Sequence, residues 1–140
     1  MAYARYIAVS IIGAGLLYAQ SAETYKTRLS PIAATGQARA QVSGLGNATA
    51  VLNGAKLTIT GTFDGLKTPA TAVKLHEGVA LGARGPAIRD LTITKAPNGN
   101  LSGAVDLNPQ EVEHLRQGRL YLQIYSEKPA DGTLWGWLIK

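Results

Sequence analysis

Arg119–Lys140 reads RLYLQIYSEKPADGTLWGWLIK, and two alternating runs stand out in it. In the first, Leu120, Leu122 and Ile124 alternate with Tyr121, Gln123 and Tyr125. In the second, Leu134 and Leu138 fall on one face and Trp135 and Trp137 on the other. Side chains along a β-strand switch faces at every residue, so the stretch predicts a hairpin with one aliphatic and one aromatic face, joined through Glu127–Asp131. The aliphatic face is expected to close a core. What the aromatic face meets is the functional question.

Upstream, the same period recurs in short pieces. Candidate strands are Thr24–Leu29, Gln37–Val42, Lys56–Phe63, Thr71–His76, Ile88–Thr94 and Leu101–Leu107, with Ala48–Leu52 as a short strand or part of a loop. Turn residues separate them: Ser30-Pro31, Asn53-Gly54, Asp64-Gly65, Gly85-Pro86, Pro97-Asn98-Gly99 and Asp131-Gly132. Short strands at about ten-residue spacing predict an all-β antiparallel sandwich or barrel. Ser30–Thr35 and Leu81–Gly85 read as mobile loops. One helix interrupts the strands: Asn108 suits the N-cap, Pro109 the first helical position and Glu111 the first turn, Val112 and Leu115 face inward, and Gly118 ends it.

The first 22 residues differ. Tyr6–Ala19 is apolar, preceded by the single charge of Arg5 and followed by AQSAE. This is the basic, apolar, small-residue order of a secretory signal, and cleavage after Ser21 fits it. Counted from Ala2, with Arg5 snorkelling to the headgroups, the run is about 18 residues, near the lower limit for a spanning helix. It is read as a retained anchor helix carried by Tyr6, Ile7, Val9, Ile11, Ile12, Leu16 and Leu17, with a cleaved signal as the alternative. In both readings residues 23–140 form a single exported domain, with Arg5 left on the cytoplasmic side.

Composition narrows the function classes. Cysteine is absent, which removes thiol chemistry and Cys-ligated metal centres. The net charge of +5 comes from scattered Lys and Arg without an aromatic–basic stripe, which speaks against nucleic acid. There are two histidines, His76 and His114, too few for a site that needs three or four ligands. His76 reads as a strand-end residue bonded to a loop carbonyl, and His114 as part of a solvated helix face. No G-x-S-x-G elbow and no phosphate loop followed by a helix is present. The sequence predicts neither an enzyme nor a cofactor.

Three segments, FDGLKTPATAVKLHEG (Phe63–Gly78), GPAIRDL (Gly85–Leu91) and DLNPQEVEHLRQGRLYLQIYSEKPADG (Asp106–Gly132), together with Gly136 and Leu138, give the chain its resemblance to the CHRD domain, the module named after chordin. The resemblance spans about Thr24 to Leu138. It implies an immunoglobulin-like β-sandwich, distantly similar to copper–zinc superoxide dismutase, and no settled activity. The family commonly has His-x-His near the middle, a further His in the penultimate strand and a polar ending. Here the imidazole positions read Lys74, His76 and Tyr125, and the ending carries Thr133, Trp135 and Trp137. An ammonium and a phenol do not replace two neutral imidazoles on a transition metal at neutral pH, so a metal site of that type is dismantled.

That leaves Tyr121, Tyr125, Trp135 and Trp137 as the candidate partner-binding patch. Alternatively, the face is covered by a loop or by the helix, or it meets membrane headgroups, a setting that Trp and Tyr also favour. The expected function is that of an accessory or stabilising subunit of a larger membrane protein assembly, on the periplasmic side of an inner membrane. A soluble periplasmic or secreted binding module is the alternative, and a metal-binding redox protein a more distant one.

Overall fold

A computed structural model describes residues 21–140. Eight strands appear in order: β1 (Glu23–Pro31), β2 (Leu45–Asn53), β3 (Lys56–Asp64), β4 (Ala70–Glu77), β5 (Ala87–Ile93), β6 (Gly99–Asp106), β7 (Leu120–Ser126) and β8 (Leu134–Trp137). One α-helix, α1 (Pro109–Arg116), joins β6 to β7. The anchor helix expected from Tyr6, Ile7, Val9, Ile11, Ile12, Leu16 and Leu17 lies outside the described residues. Among the described residues, no helix is long and apolar enough to cross a membrane.

All strand pairs are antiparallel, and the order β1-β2-β3-β6-β5-β4-β7-β8 closes on itself as a barrel. The strand pattern left a sandwich or a barrel open, and the resemblance implied a two-sheet sandwich; the sheet is a closed barrel. The sheet closes because β1 and β5 each change partner along their length. β1 pairs with β2 from Glu23 to Leu29, then with β8 at Ser30 and Pro31. β5 pairs with β4 up to Leu91, then with β6 at Thr92 and Ile93. These seams are two residue pairs long, against nine between β2 and β3. At the β1 seam Gly136 passes so close that a Cβ there would lie 2.5 Å from the Arg28 carbonyl oxygen, so only glycine fits.

The inward set follows the alternation. Leu120, Leu122, Ile124, Leu134 and Leu138 are fully buried, so the aliphatic face of the closing hairpin does complete the core. The helix is capped as its sequence predicts: the Asn108 side chain accepts from the Glu111 amide at 2.7 Å, and Glu111 accepts from the Asn108 amide at 3.0 Å. Leu115 enters the core and Val112 packs against it.

Two expectations about strands need correction. Gln37–Val42 is not a strand; Gly36–Ala40 forms a 3-10 helix with no buried residue. Its alternation sets alanine against glutamine and arginine, which offers too little apolar surface to hold a place in a sheet. Ala48–Leu52, in contrast, belongs to a full nine-residue strand. Its inward residues are Gly46, Ala48, Ala50 and Leu52, and small side chains mask the period.

An aromatic face and a cation-lined groove

On the outer face of β7 and β8 the register sets Tyr121 opposite Trp137 and Gln123 opposite Trp135. The rings pack in a chain: Tyr121 to Trp137 at 4.7 Å, and Trp137 to Trp135 edge-to-face at 4.9 Å. His76 on β4, opposite Tyr121, stacks on it at 4.8 Å and lies 6.0 Å from Tyr125. The fold therefore brings the four aromatic residues singled out in the sequence onto one face. They differ in access. Tyr121 is 1% exposed, whereas Tyr125, Trp135 and Trp137 are half-buried. Tyr121 supports the surface from below rather than forming it.

The cover over Tyr121 is the segment from Gly78 to Pro86. Its far end is held by a compact set of hydrogen bonds. The Gly85 amide donates to the Tyr121 hydroxyl at 2.9 Å, and that hydroxyl donates back to the Gly85 carbonyl at 3.0 Å. His76 Nδ1 lies 2.8 Å from the same carbonyl, and its Nε2 lies 2.7 Å from the Tyr125 hydroxyl. A carbonyl only accepts, so the proton sits on Nδ1, and Nε2 accepts from Tyr125. Burial pushes His76 below its usual titration range, and it raises the Tyr125 phenol. A neutral imidazole is the state this network requires. Gly85 cannot carry a side chain, since its Cβ would fall 1.8 Å from the Glu77 carbonyl oxygen. The segment expected to be mobile at Leu81–Gly85 is thus pinned at its Gly85 end.

His76 is bonded to a loop carbonyl, as expected. His114 departs from its reading on a solvated face: it is mostly buried and pairs with Glu77 at the end of β4. Glu111 turns away from it, to the capping box and to Arg89, whose guanidinium meets it at 2.8 and 3.2 Å. The Glu111-x-x-His114 pair therefore serves two separate structural contacts. Lys74 and Tyr125, which stand where the resemblance puts imidazoles, come together with the Lys74 ammonium 5.7 Å from the Tyr125 ring centre. Among the described residues, no three His, Cys, Asp or Glu side chains converge as a metal cluster.

The covering segment leaves the β1 side of the aromatic face open. There a groove of about 680 Å³ runs along the outer face of β1 and β8. Its walls include Lys26 and Arg28 from β1, Leu81 and Gly82 from the covering segment, and Trp135 and Trp137 from β8. Arg84 adds a third cation, its guanidinium carbon 4.6 Å from the Trp135 ring centre. Among the described residues, no acidic side chain lines the groove. The Trp137 indole N–H is buried with no hydrogen-bond partner among the described residues. Lys26 and Arg28 are outward positions of a strand whose alternation was legible; what the sequence did not reveal is that β1 lies beside β8. Arg84 sits in a loop and carries no periodic signal.

The chain matches the CHRD domain over residues 25–138. It belongs to the CHRD family. The match covers all of the barrel except the first residues of β1, and it includes the covering segment and the closing hairpin. No curated protein and no solved structure matches the chain.

Proposed function

We propose that this CHRD chain is a non-catalytic, exported module that acts as an accessory or stabilising subunit of a larger membrane protein assembly. Its N-terminal apolar stretch holds it to the inner membrane, with the barrel on the periplasmic side. Its aromatic face receives a protein subunit. One observation carries the reading: Trp135 and Trp137 stand partly exposed on one outer face, beside a groove lined by Lys26 and Arg28, with Arg84 against the Trp135 ring. Large aromatic rings with adjoining arginines are the side chains that contribute most to protein interfaces. The groove is open, and among the described residues it is lined by two indoles, two cations and small polar and apolar side chains with no acid, a surface that suits a docked protein. Kinship with immunoglobulin-like or superoxide-dismutase-like sandwiches belongs to the same proposal. Its support is the brevity of the two seams, which leave two broad ladders facing each other.

The test is purification of the native protein from membranes, followed by its N-terminal sequence and the identity and stoichiometry of co-purifying chains. A retained N-terminal stretch and partners in fixed ratio are expected. The joint substitution Trp135→Ala and Trp137→Ala releases those partners while the protein stays in the membrane. A mature N-terminus near Ala22 and a lone soluble monomer would sink the reading.

A further inference from the structure

Four large apolar side chains stay exposed among the described residues: Leu45, Val79, Leu81 and Ile139, at 46%, 81%, 58% and 51%. Three of them share one end of the barrel. Ile139 bridges to Lys26 near the start of β1. Leu81 lies beside Gly118, as does Ile139, and Val79 borders the groove formed with His114 and Arg119. This is also the end at which the chain enters the barrel, since Glu23 is tied there to Arg116 at 2.8 Å and to Lys140 at 2.7 Å. Leu45 is at the opposite end, paired with Asp64 where β3 finishes.

The chain outside the described residues limits what this end can face. Only Gln20, Ser21 and Ala22 separate the apolar run ending at Ala19 from Glu23. At about 3.5 Å per extended residue, they keep Glu23 within roughly 10–15 Å of that run. A side chain at this end is thus at headgroup depth when the apolar run is embedded. Lys26 and Arg119 stand beside the apolar tips and suit lipid phosphates, while acids at this end are paired: Glu23 with Arg116 and Lys140, Glu77 with His114 and Glu111 with Arg89.

We propose that Val79, Leu81 and Ile139 form a membrane-contact rim. They dip into the headgroup region of an anionic bilayer and fix the tilt of the barrel, so that the aromatic face points along the membrane toward its partner. The inference rests on the anchored reading above. It adds an orientation to that reading, with the lipid surface as a second contact that adjoins the groove at Leu81 and Ile139.

The test uses the full chain, which contains no cysteine, so that single labels can be placed at will. Leu81→Cys and, as the opposite-end control, Leu45→Cys are labelled with a polarity-sensitive fluorophore and reconstituted into vesicles of phosphatidylglycerol and phosphatidylethanolamine. Flotation first reports whether the chain is anchored. The label at position 81 is expected to shift to the blue, to be quenched by nitroxide lipids several-fold more than the label at 45, and to resist aqueous iodide. Equal iodide access at both positions overturns the rim while leaving the anchor intact. So does a label at 81 that is shielded from iodide but untouched by nitroxide lipids, which means that polypeptide covers it. A chain that fails to float overturns the anchored reading, and the rim with it.

Discussion

Replacing Trp135 and Trp137 together by alanine separates a binding surface from a core, provided the cost to the fold is worked out beforehand. A Trp buries about 150–250 Å² when enclosed, and these two are mostly buried, so each removes about 140 Å² from water. At about 25 cal/mol per Å² that is ~3.5 kcal/mol each, less the part already buried in the unfolded chain. Both rings border an open groove, so no sealed cavity is left behind and no cavity penalty is added. The pair should cost about 4–6 kcal/mol, against about 6–18 kcal/mol for a domain of this length. The double variant is therefore expected to stay folded, and its urea midpoint to drop by about 2–3 M. Far-UV circular dichroism is the readout, because the chain has two tryptophans and the variant has none. The edge-to-face contact at 4.9 Å should appear in the single variants as a coupling of about 0.5–1.5 kcal/mol. Loss of a cooperative transition would refute the reasoning, because the rings would then be core. So would a drop below about 0.5 kcal/mol, because they would then pack against nothing.

Other perturbations report on the contacts around the site. Arg116 and then Lys140 hydrogen-bond the Glu23 carboxylate and hold it down to about 2 from 4.5, a depressed acid whose stabilisation is present above about 4.5 and lost as pH falls toward 2. Acid titration of Glu23→Gln should therefore lack part of the stability loss of the parent in that window. Burial, then the bond to Glu23, raises Tyr25 to about 12, so its contribution is complete below 10 and lost as pH rises from 10 to 12; Tyr25→Phe should flatten that alkaline limb. His76 binds its proton less readily in the fold than in the unfolded chain, so stability should decline as pH falls below about 6.5, and its ring resonances should titrate below that value in NMR. Arg89→Ala leaves the mostly buried Glu111 without its guanidinium and should cost about 2–4 kcal/mol in chemical denaturation, with the start of α1 the first region to exchange its amides.

Legibility in the sequence tracked side-chain size and periodicity. The closing hairpin, β3 and α1 could be read because large apolar residues recur at strand spacing, or because Asn108, Pro109 and Glu111 spell a helix start. β2 was blurred because its core face is made of glycine and alanine, and Gln37–Val42 was misread because alternation without apolar bulk is no strand signal. A barrel was one of the two architectures expected, but closure itself could not be read. It depends on β1 and β5 changing partner partway along, and no local pattern marks that. The aromatic residues of the site were visible. Their division into a buried Tyr121 and half-exposed Tyr125, Trp135 and Trp137 was not, because it is imposed by a segment more than thirty residues away in sequence.

That segment gives the site its character. Tyr121 and His76 both bond Gly85, so the outer face of β4 and β7 is spent on holding a loop. His76 is thereby committed at both nitrogens, one to a carbonyl and one to a phenol. A metal arriving there would have to displace the Tyr125 hydroxyl at Nε2, and it would meet the Lys74 ammonium on the Tyr125 ring. In exchange, the pinned loop carries Arg84 onto Trp135 and Leu81 to the mouth of the groove. Three of the five departures from the family pattern, Tyr125, Trp135 and Trp137, thus act together: a phenol closes the histidine, and two indoles build the surface that the loop frames. The closed imidazole on one side of the loop and the partly exposed indoles on the other thus depend on the same few side chains.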